Sequence, residues 1–289
     1  MYSIKKFLRT YSPVWLFSVL SKIWNFPIRA KEKFKQKDVS IFTKSEIVQI
    51  NVEDINFSII IDPINGYVDE TIYKQRGWEP AIANVLKKEI RAGDVCVDIG
   101  ANIGYFTILM SKLTGEDGKV FAFEPINSLY EQASESIRIN NLKNVTLYNT
   151  ACGEERKTGT IYTFADNIGK SSLLSEAELS TGTEVVTVDT LDTLLKNIHK
   201  IDFMKIDVEG YEFEVLVGGK EILQKHKPKI IFEYNPSRYT ENTTPDKVFI
   251  FLKEFWYNFY TIKNEKIDDF QSLVMTQLRL GDTKEIVCT

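Results

Sequence analysis

A mostly parallel α/β sheet with helices on both faces is the fold class this sequence predicts, and three observations predict it. Short apolar runs alternate with amphipathic stretches from residue 95 onward. Those runs are rich in Val, Ile and Phe, as strands covered on both faces must be. A glycine turn, Asp98-Ile99-Gly100-Ala101-Asn102-Ile103-Gly104, follows the first run and opens directly into a helical pattern. Such a strand–turn–helix junction is where open parallel sheets bind their ligands.

Residues 1–37 hold nine Lys or Arg against one acid, Glu32, a net of +8 that leaves −12 for the rest of a chain whose total is −4. Within this head, Val14–Leu20 with Ile23, Trp24 and Phe26 form an apolar stretch interrupted by Lys22 and Asn25. It is shorter than the roughly 20 residues that span a bilayer, and no small-residue cleavage site follows it. Ser12-Pro13 is a good helix start. The head therefore reads as a helical segment, either peripheral to the inner face of a membrane, with lysines on anionic headgroups, or packed on the body or a partner. Period-two alternation in Ile47–Val52 and Phe57–Ile61 predicts a small antiparallel β element closed near Pro63 and Asn65-Gly66. A helix follows over Pro80–Ile90. Strands are predicted at 95–99, 119–123, 145–149, 203–206, 230–232 and 259–262. Helices are predicted at 105–113, 129–140, 212–218 and 246–256. The organisation expected is a basic head (1–37), a β-rich extension (38–74) and one α/β domain (75–289) of Rossmann-like design.

Composition narrows the class. An apolar fraction of 43% with 26% charged residues is that of an ordinary globular protein. Cys96, Cys152 and Cys288 lie far apart without paired spacing, which indicates neither a disulfide framework nor a zinc site but a reducing, cytoplasmic setting. The acidic body excludes a general nucleic-acid binder, whose affinity comes largely from neutralising phosphates.

The glycines of the turn are four apart, unlike the G-x-G-x-x-G of dinucleotide sites, and Asp98 stands two residues before Gly100. Gly100 and Gly104 let the backbone turn without a Cβ, and Asn102 lies between them. A carboxylate such as Asp98 suits a nucleoside carrying a cationic sulfonium better than a pyrophosphate. Glu124, at the end of the second strand and 20 residues beyond Gly104, is placed to grip both ribose hydroxyls. The loop at Thr150-Ala151, after the third strand, is placed to meet an adenine edge. The expected cofactor is S-adenosyl-L-methionine, held by Asp98, Gly100, Asn102, Gly104, Glu124 and Ala151.

With these residues in view, the sequence resembles the FkbM family of S-adenosylmethionine-dependent methyltransferases. The matching stretches are Gly77-Trp78-Glu79-Pro80, Val97–Thr107, Phe123-Glu124-Pro125, Ser171-Ser172-Leu173, Val188–Asp192 and Asp202–Glu212, with Lys205-Ile206-Asp207-Val208-Glu209-Gly210 the most specific. The resemblance covers roughly residues 75 to 265. It implies a class I methyltransferase fold and O-methylation of a sugar in a surface polysaccharide or of a hydroxyl in a secondary metabolite.

Lys205, Asp207 and Glu209 crowd the end of the fourth core strand, on one side by alternation. A hydroxyl is a weak nucleophile at neutral pH, so its proton must be managed by a base or a metal. Asp207 is the expected base, oriented by Glu209 or Glu233, with Lys205 stabilising negative charge. Asp207, Glu233 and Asn235 also form an oxygen donor set suited to Mg2+, similar to the metal site of catechol-type O-methyltransferases; alternatively these charges only pair with Lys205 and Arg238 and orient loops. Ser171-Ser172 reads as a loop over the site, and Asp189 and Asp192 as caps of a helix around Leu194. N-methylation is the rival reaction, weakened because the Asn/Asp-Pro-Pro-aromatic motif such enzymes often carry is replaced here by Asp207-Val208-Glu209-Gly210. A non-catalytic adenosyl-binding subunit is the rival from another class, which would have no need of the rim carboxylates.

Overall fold

The computed structural model describes residues 45–62, 66–164, 171–173, 180–236, 246–280 and 284–289. The basic head expected over residues 1–37 and the turn around Pro63–Asn65 lie outside them. Residues 45–289 form one compact unit.

That unit opens with a hairpin, β1 (Glu46–Val52) and β2 (Ile55–Ile61), paired antiparallel from Glu46↔Ile61 to Val52↔Ile55. Val48, Ile50, Phe57, Ile59 and Ile61 alternate onto its buried face, the period-two pattern at work. Two helices follow, α1 (Tyr67–Gln75) and α2 (Pro80–Glu89). The core then runs β3 (Val95–Ile99), α3 (Tyr105–Thr114), β4 (Lys119–Phe123), α4 (Asn127–Ile139) and β5 (Val145–Tyr148). A three-stranded insertion comprises β6 (Ala151–Cys152), β7 (Lys157–Thr163) and β8 (Gly182–Asp189). The second half contains α5 (Leu191–Leu194), β9 (Phe203–Ile206), α6 (Glu212–Val217), α7 (Lys220–His226), β10 (Lys229–Tyr234), α8 (Lys247–Glu254), β11 (Phe259–Thr261), α9 (Phe270–Leu280) and β12 (Lys284–Cys288).

Seven strands make the main sheet, in the order β11-β12-β10-β9-β3-β4-β5. From β5 to β10 neighbours are parallel; β12 inserts antiparallel between β10 and β11. The chain begins its sheet in the middle, at β3, winds outward to β5, and returns to place β9 on the other side. The switch point between β3 and β9 leaves a crevice beyond their carboxyl ends, the place where doubly wound sheets bind ligands.

The hairpin is fastened over this half of the molecule by α4. Ser58 N donates to Asn140 Oδ1 (2.9 Å) and Ile60 N to Ser136 Oγ (3.0 Å), while Asn140 Nδ2 and Gln132 Nε2 donate to the Ser58 and Ile60 carbonyls. These bonds satisfy the outer edge of β2, which would otherwise be an open template for another strand. Asp69 completes the attachment, buried and accepting from Asp62 N and Gln132 Nε2. Helix α3, covered by the hairpin on one side and the sheet on the other, is buried nearly all round, from Tyr105 to Ser111, as its unusually apolar sequence requires.

The short helix α5 corrects one expectation. Its cap is Thr190, whose Oγ1 accepts from Thr193 N (3.1 Å). Asp192 instead accepts from Glu221 N and Ile222 N, both at 3.0 Å, and so caps α7. Asp189 turns back to Thr190 N (2.8 Å). Short acids here cap the helix that arrives in space, not the next one in sequence.

Candidate functional site

A cavity opens at the switch point, lined on one side by Gly100 to Ile103 and on the other by Asp207 to Glu209. Its walls also include Glu124, Pro125 and Ile126 from the end of β4, Thr150 and Ala151 beyond β5, and Ser171 to Leu173. Lys205, Glu233, Trp78 and Glu79 line it as well.

The glycine turn is built around its neighbour strands. Gly100 N and Ala101 N both donate to Phe123 O at 3.0 Å, and Asp207 N donates to Ile99 O at 2.9 Å. Gly100 has φ +80, and a Cβ there would collide with the Asp207 carbonyl oxygen. Its glycine is therefore required by the approach of β9 as well as by the cavity. Gly104 (φ +88) meets α4 instead, where a Cβ would sit 3.2 Å from Ala133 Cβ; it stands outside the cavity lining.

Glu124 is buried, with both oxygens fixed. Oε2 accepts from Asn102 N (2.8 Å) and Oε1 from Ile126 N (2.9 Å). Asn102, at φ 53, returns its own Oδ1 to Ile103 N, a left-handed turn that asparagine tolerates. Each Glu124 oxygen keeps a lone pair for a ligand hydroxyl. Burial pushes the carboxyl up to about 7, against the two backbone N–H groups that pull it down.

Asp98 is placed differently from the expectation. It is fully buried beneath the turn, outside the cavity lining, and accepts from Thr107 Oγ1 at 2.5 Å. The positive charge nearest it is Lys205, whose Nζ lies 3.9 Å from Oδ1. Because strand residues alternate, the side chain two before Gly100 faces α3 rather than the ligand. Burial holds its carboxyl above the usual range, with Lys205 acting against that.

Lys205 is the cation at the centre. It is buried, 2.9 Å from Asp207 Oδ2, and lies over the Phe106 ring at 5.1 Å. Burial alone would discharge it, but Asp207 and Asp98 outweigh burial and hold the ammonium above its ordinary range. The loop beyond β9 is clamped by buried Glu212, which accepts from Gly210 N (3.0 Å). Glu209 adopts φ 55, and its carbonyl accepts from Ser172 Oγ at 2.9 Å. Ser171 and Ser172 thus do border the cavity.

Asp207, Glu209 and Glu233 each offer a carboxylate oxygen within 4.8 Å of the others. Asn235, expected beside them, is not in the cavity lining. Asp207 is already engaged through Oδ2 by Lys205.

Sequence reasoning overlooked Glu79 as a site residue. It sits at the start of α2 in a left-handed conformation and faces Lys205 and Asp207. Its signal was available, an acid directly before a helix-initiating proline in Trp78-Glu79-Pro80. Tyr67 and Trp78, in edge contact at 5.9 Å, extend the same wall. Tyr105, in edge contact with Phe57 of the hairpin at 5.3 Å, bonds to the Trp78 backbone.

A seven-stranded sheet of this order, with one reversed strand and a cavity between a glycine turn and an acidic strand end, is the class I methyltransferase fold. The chain belongs to the methyltransferase FkbM domain family, whose match runs over residues 98–259. Methyltransferase 1 of Beauveria bassiana is 28% identical over 142 residues, covering 42% of this chain and 57% of that protein. The hexuronic acid methyltransferase AglP of Haloferax volcanii is 28% identical over 160 residues, covering 50% and 58%. The crystal structure of methyltransferase FkbM from Methylobacillus flagellatus aligns over 73% of this chain and 51% of that one, at 14% identity and a TM-score of 0.44. The chain spans less than two thirds of the length of the curated relatives it matches.

Proposed function

We propose that this protein is an S-adenosylmethionine-dependent O-methyltransferase, acting on a hydroxyl of a sugar in a surface glycan or of a secondary metabolite. The observation that carries the reading is Glu124, a carboxylate at the rim of the second parallel strand with both oxygens aligned by backbone N–H groups. Such a group is preorganised to accept two vicinal ribose hydroxyls. Bound in this crevice, S-adenosylmethionine supplies an electrophilic methyl group on a cationic sulfur. Gly100 to Ile103 would hold its amino-acid end, and Thr150-Ala151 would border the adenine. Asp207 and Lys205 would orient the acceptor hydroxyl, Lys205 through its fixed positive charge and Asp207 as hydrogen-bond acceptor. Orientation of that kind contributes about 7–11 kcal/mol to the barrier reduction. The name of the Haloferax relative supports a uronic sugar as one acceptor.

In this reading Lys205 serves where a divalent cation would otherwise be needed. Turnover is therefore expected to survive EDTA; a loss that Mg2+ restores would return Asp207 and its neighbours to a metal. A cytoplasmic location, with contact to the inner membrane face through residues 1–37, belongs to the same proposal and rests on the charge asymmetry and the three free, buried cysteines. Among the described residues no helix is long and apolar enough to cross a membrane. The test of the function is incubation with methyl-labelled cofactor and fractionated cell glycans, followed by mass spectrometry. Label on a hydroxyl oxygen is expected; label on nitrogen, or on nothing, contradicts the proposal.

A further inference from the structure

A short polar side chain in the N-cap position of a helix ordinarily accepts a backbone N–H from the first turn. Glu79 does not; its side chain makes no cap hydrogen bond with α2. Glu79 lines the cavity, and within its carboxylate Oε2 is buried without a hydrogen-bond partner. Leaving a carboxylate oxygen in that state is unfavourable unless something else makes use of it. The backbone tells the same story. Glu79 holds φ 39 and ψ 67, a left-handed conformation that a non-glycine residue adopts at a cost of about 1–3 kcal/mol and that clusters at functional sites. Pro80 does not account for it, because a residue before proline is steered toward extended backbone.

Every element packed around the group brings a charge or an apolar wall. Lys205 and Asp207 approach from β9, Glu233 from β10, and Glu285 from β12, where it is paired with Glu233 across the strands. Trp78 shares a hydrogen bond with the carboxylate. A second, much smaller cavity lies behind Glu79, lined by the same charges with Ile82, Ile206, Ile231 and Phe232. Glu79 thus stands between the cavity proposed to take the methyl donor and a small pocket edged by two further carboxylates.

We infer that Glu79 is the group that takes the acceptor's proton. The inference rests on the methyl-transfer reading and names its base. As the acceptor oxygen forms its bond to the methyl carbon, its O–H bond breaks and the proton passes to the Glu79 carboxylate. The electron pair of the broken methyl–sulfur bond stays on sulfur, leaving a neutral thioether. Asp207, with Oδ2 held by Lys205, orients the hydroxyl. Burial, reinforced by Asp207 and Glu285 and opposed by Lys205 and Trp78, lifts the Glu79 carboxyl to about 7. A base there is part ionised at neutral pH and readily releases to solvent the proton it has taken.

The test uses full-length protein and the variants E79Q and E79D, each checked by thermal melting. With carboxyl-labelled glutamate, NMR titration is expected to show a signal with a midpoint near 7 that vanishes in E79Q. Calorimetry is expected to give S-adenosylhomocysteine affinities within about threefold of wild type for both variants, as a group that acts on the acceptor alone requires. On the glycan fraction that wild type methylates, E79Q is expected to lose about 100-fold or more in kcat together with the acidic limb of the pH profile, whereas E79D keeps a limb. E79Q turnover within about threefold of wild type overturns the inference, as does a roughly tenfold loss of S-adenosylhomocysteine affinity, which would make Glu79 a cofactor ligand. If no fraction is methylated, the methyl-transfer reading fails separately, and the absence of a near-neutral signal removed by E79Q still overturns the titration assigned to Glu79.

Discussion

Lys205→Met is expected to destabilise the protein by about 3–5 kcal/mol at pH 8, the loss that follows when one member of a buried charge group is removed and its partners stay charged. The expectation rests on how little else Asp98 has. It is fully buried, takes one hydrogen bond from Thr107, and has an Oδ1 that accepts none; Lys205 is the positive charge nearest it. Methionine fills a similar volume and can keep the contact with Phe106, so packing loss is small. Without the ammonium the Asp98 carboxyl rises further above its unfolded value. A carboxyl raised on folding favours the protonated native state, so its contribution is intact below the unfolded pKa and lost as pH climbs through the folded one. The deficit is therefore expected to shrink from pH 8 to pH 5, and Asp98→Asn combined with Lys205→Met to recover part of it. Urea unfolding at the two pH values checks this. A deficit below about 1 kcal/mol, or one independent of pH, would contradict the central place given to Lys205.

Gly100→Ala is expected to cost about 2–5 kcal/mol, the sum of a left-handed alanine and an overpacked contact. The second part dominates, because the new Cβ points into the backbone carbonyl of Asp207, which no rotamer change can move. Gly93 provides the control. Its φ of +82 nearly equals the +80 of Gly100, yet nothing lies within 4 Å of a Cβ built on it. Gly93→Ala therefore carries only the conformational cost of about 1–2 kcal/mol. Relief of the Gly100 clash must push β9 away from β3 and widen the crevice. Gly100→Ala is thus also expected to lose S-adenosylhomocysteine affinity by about tenfold or more, as a misplaced binding edge does, while Gly93→Ala retains it. Equal melting midpoints for the two variants would show that the close approach of the strands is not what the glycine serves.

Much of the sheet was legible because its strands are buried on both faces. Such strands announce themselves as short, largely apolar runs, and β3, β4 and β9 fall where the sequence places them, residue for residue. The hairpin was visible for the opposite reason, a clean alternation with one face wet. What the sequence hid was geometry between distant segments. The strands Lys157–Thr163 and Gly182–Asp189 pair across a long insertion, and the pairing reversal of Lys284–Cys288 depends on which gap in the sheet it enters. Glycines flagged the turn but not their purpose, since Gly104 answers to Ala133 on a separate helix. The charged cluster divides similarly. Lys205, Asp207 and Glu209 are neighbours in sequence and could be grouped by alternation. Glu79 reaches them only through folding, from more than 120 residues away in the chain.

The central claim is that the crevice between Gly100 and Asp207, edged by Glu124, accepts an adenosyl group. Titration calorimetry of well-folded protein with S-adenosylhomocysteine tests it most directly. A saturable heat corresponding to one site per chain is expected, with a marked loss of affinity in Glu124→Ala. No detectable heat with either this nucleoside or its methylated parent would contradict the account.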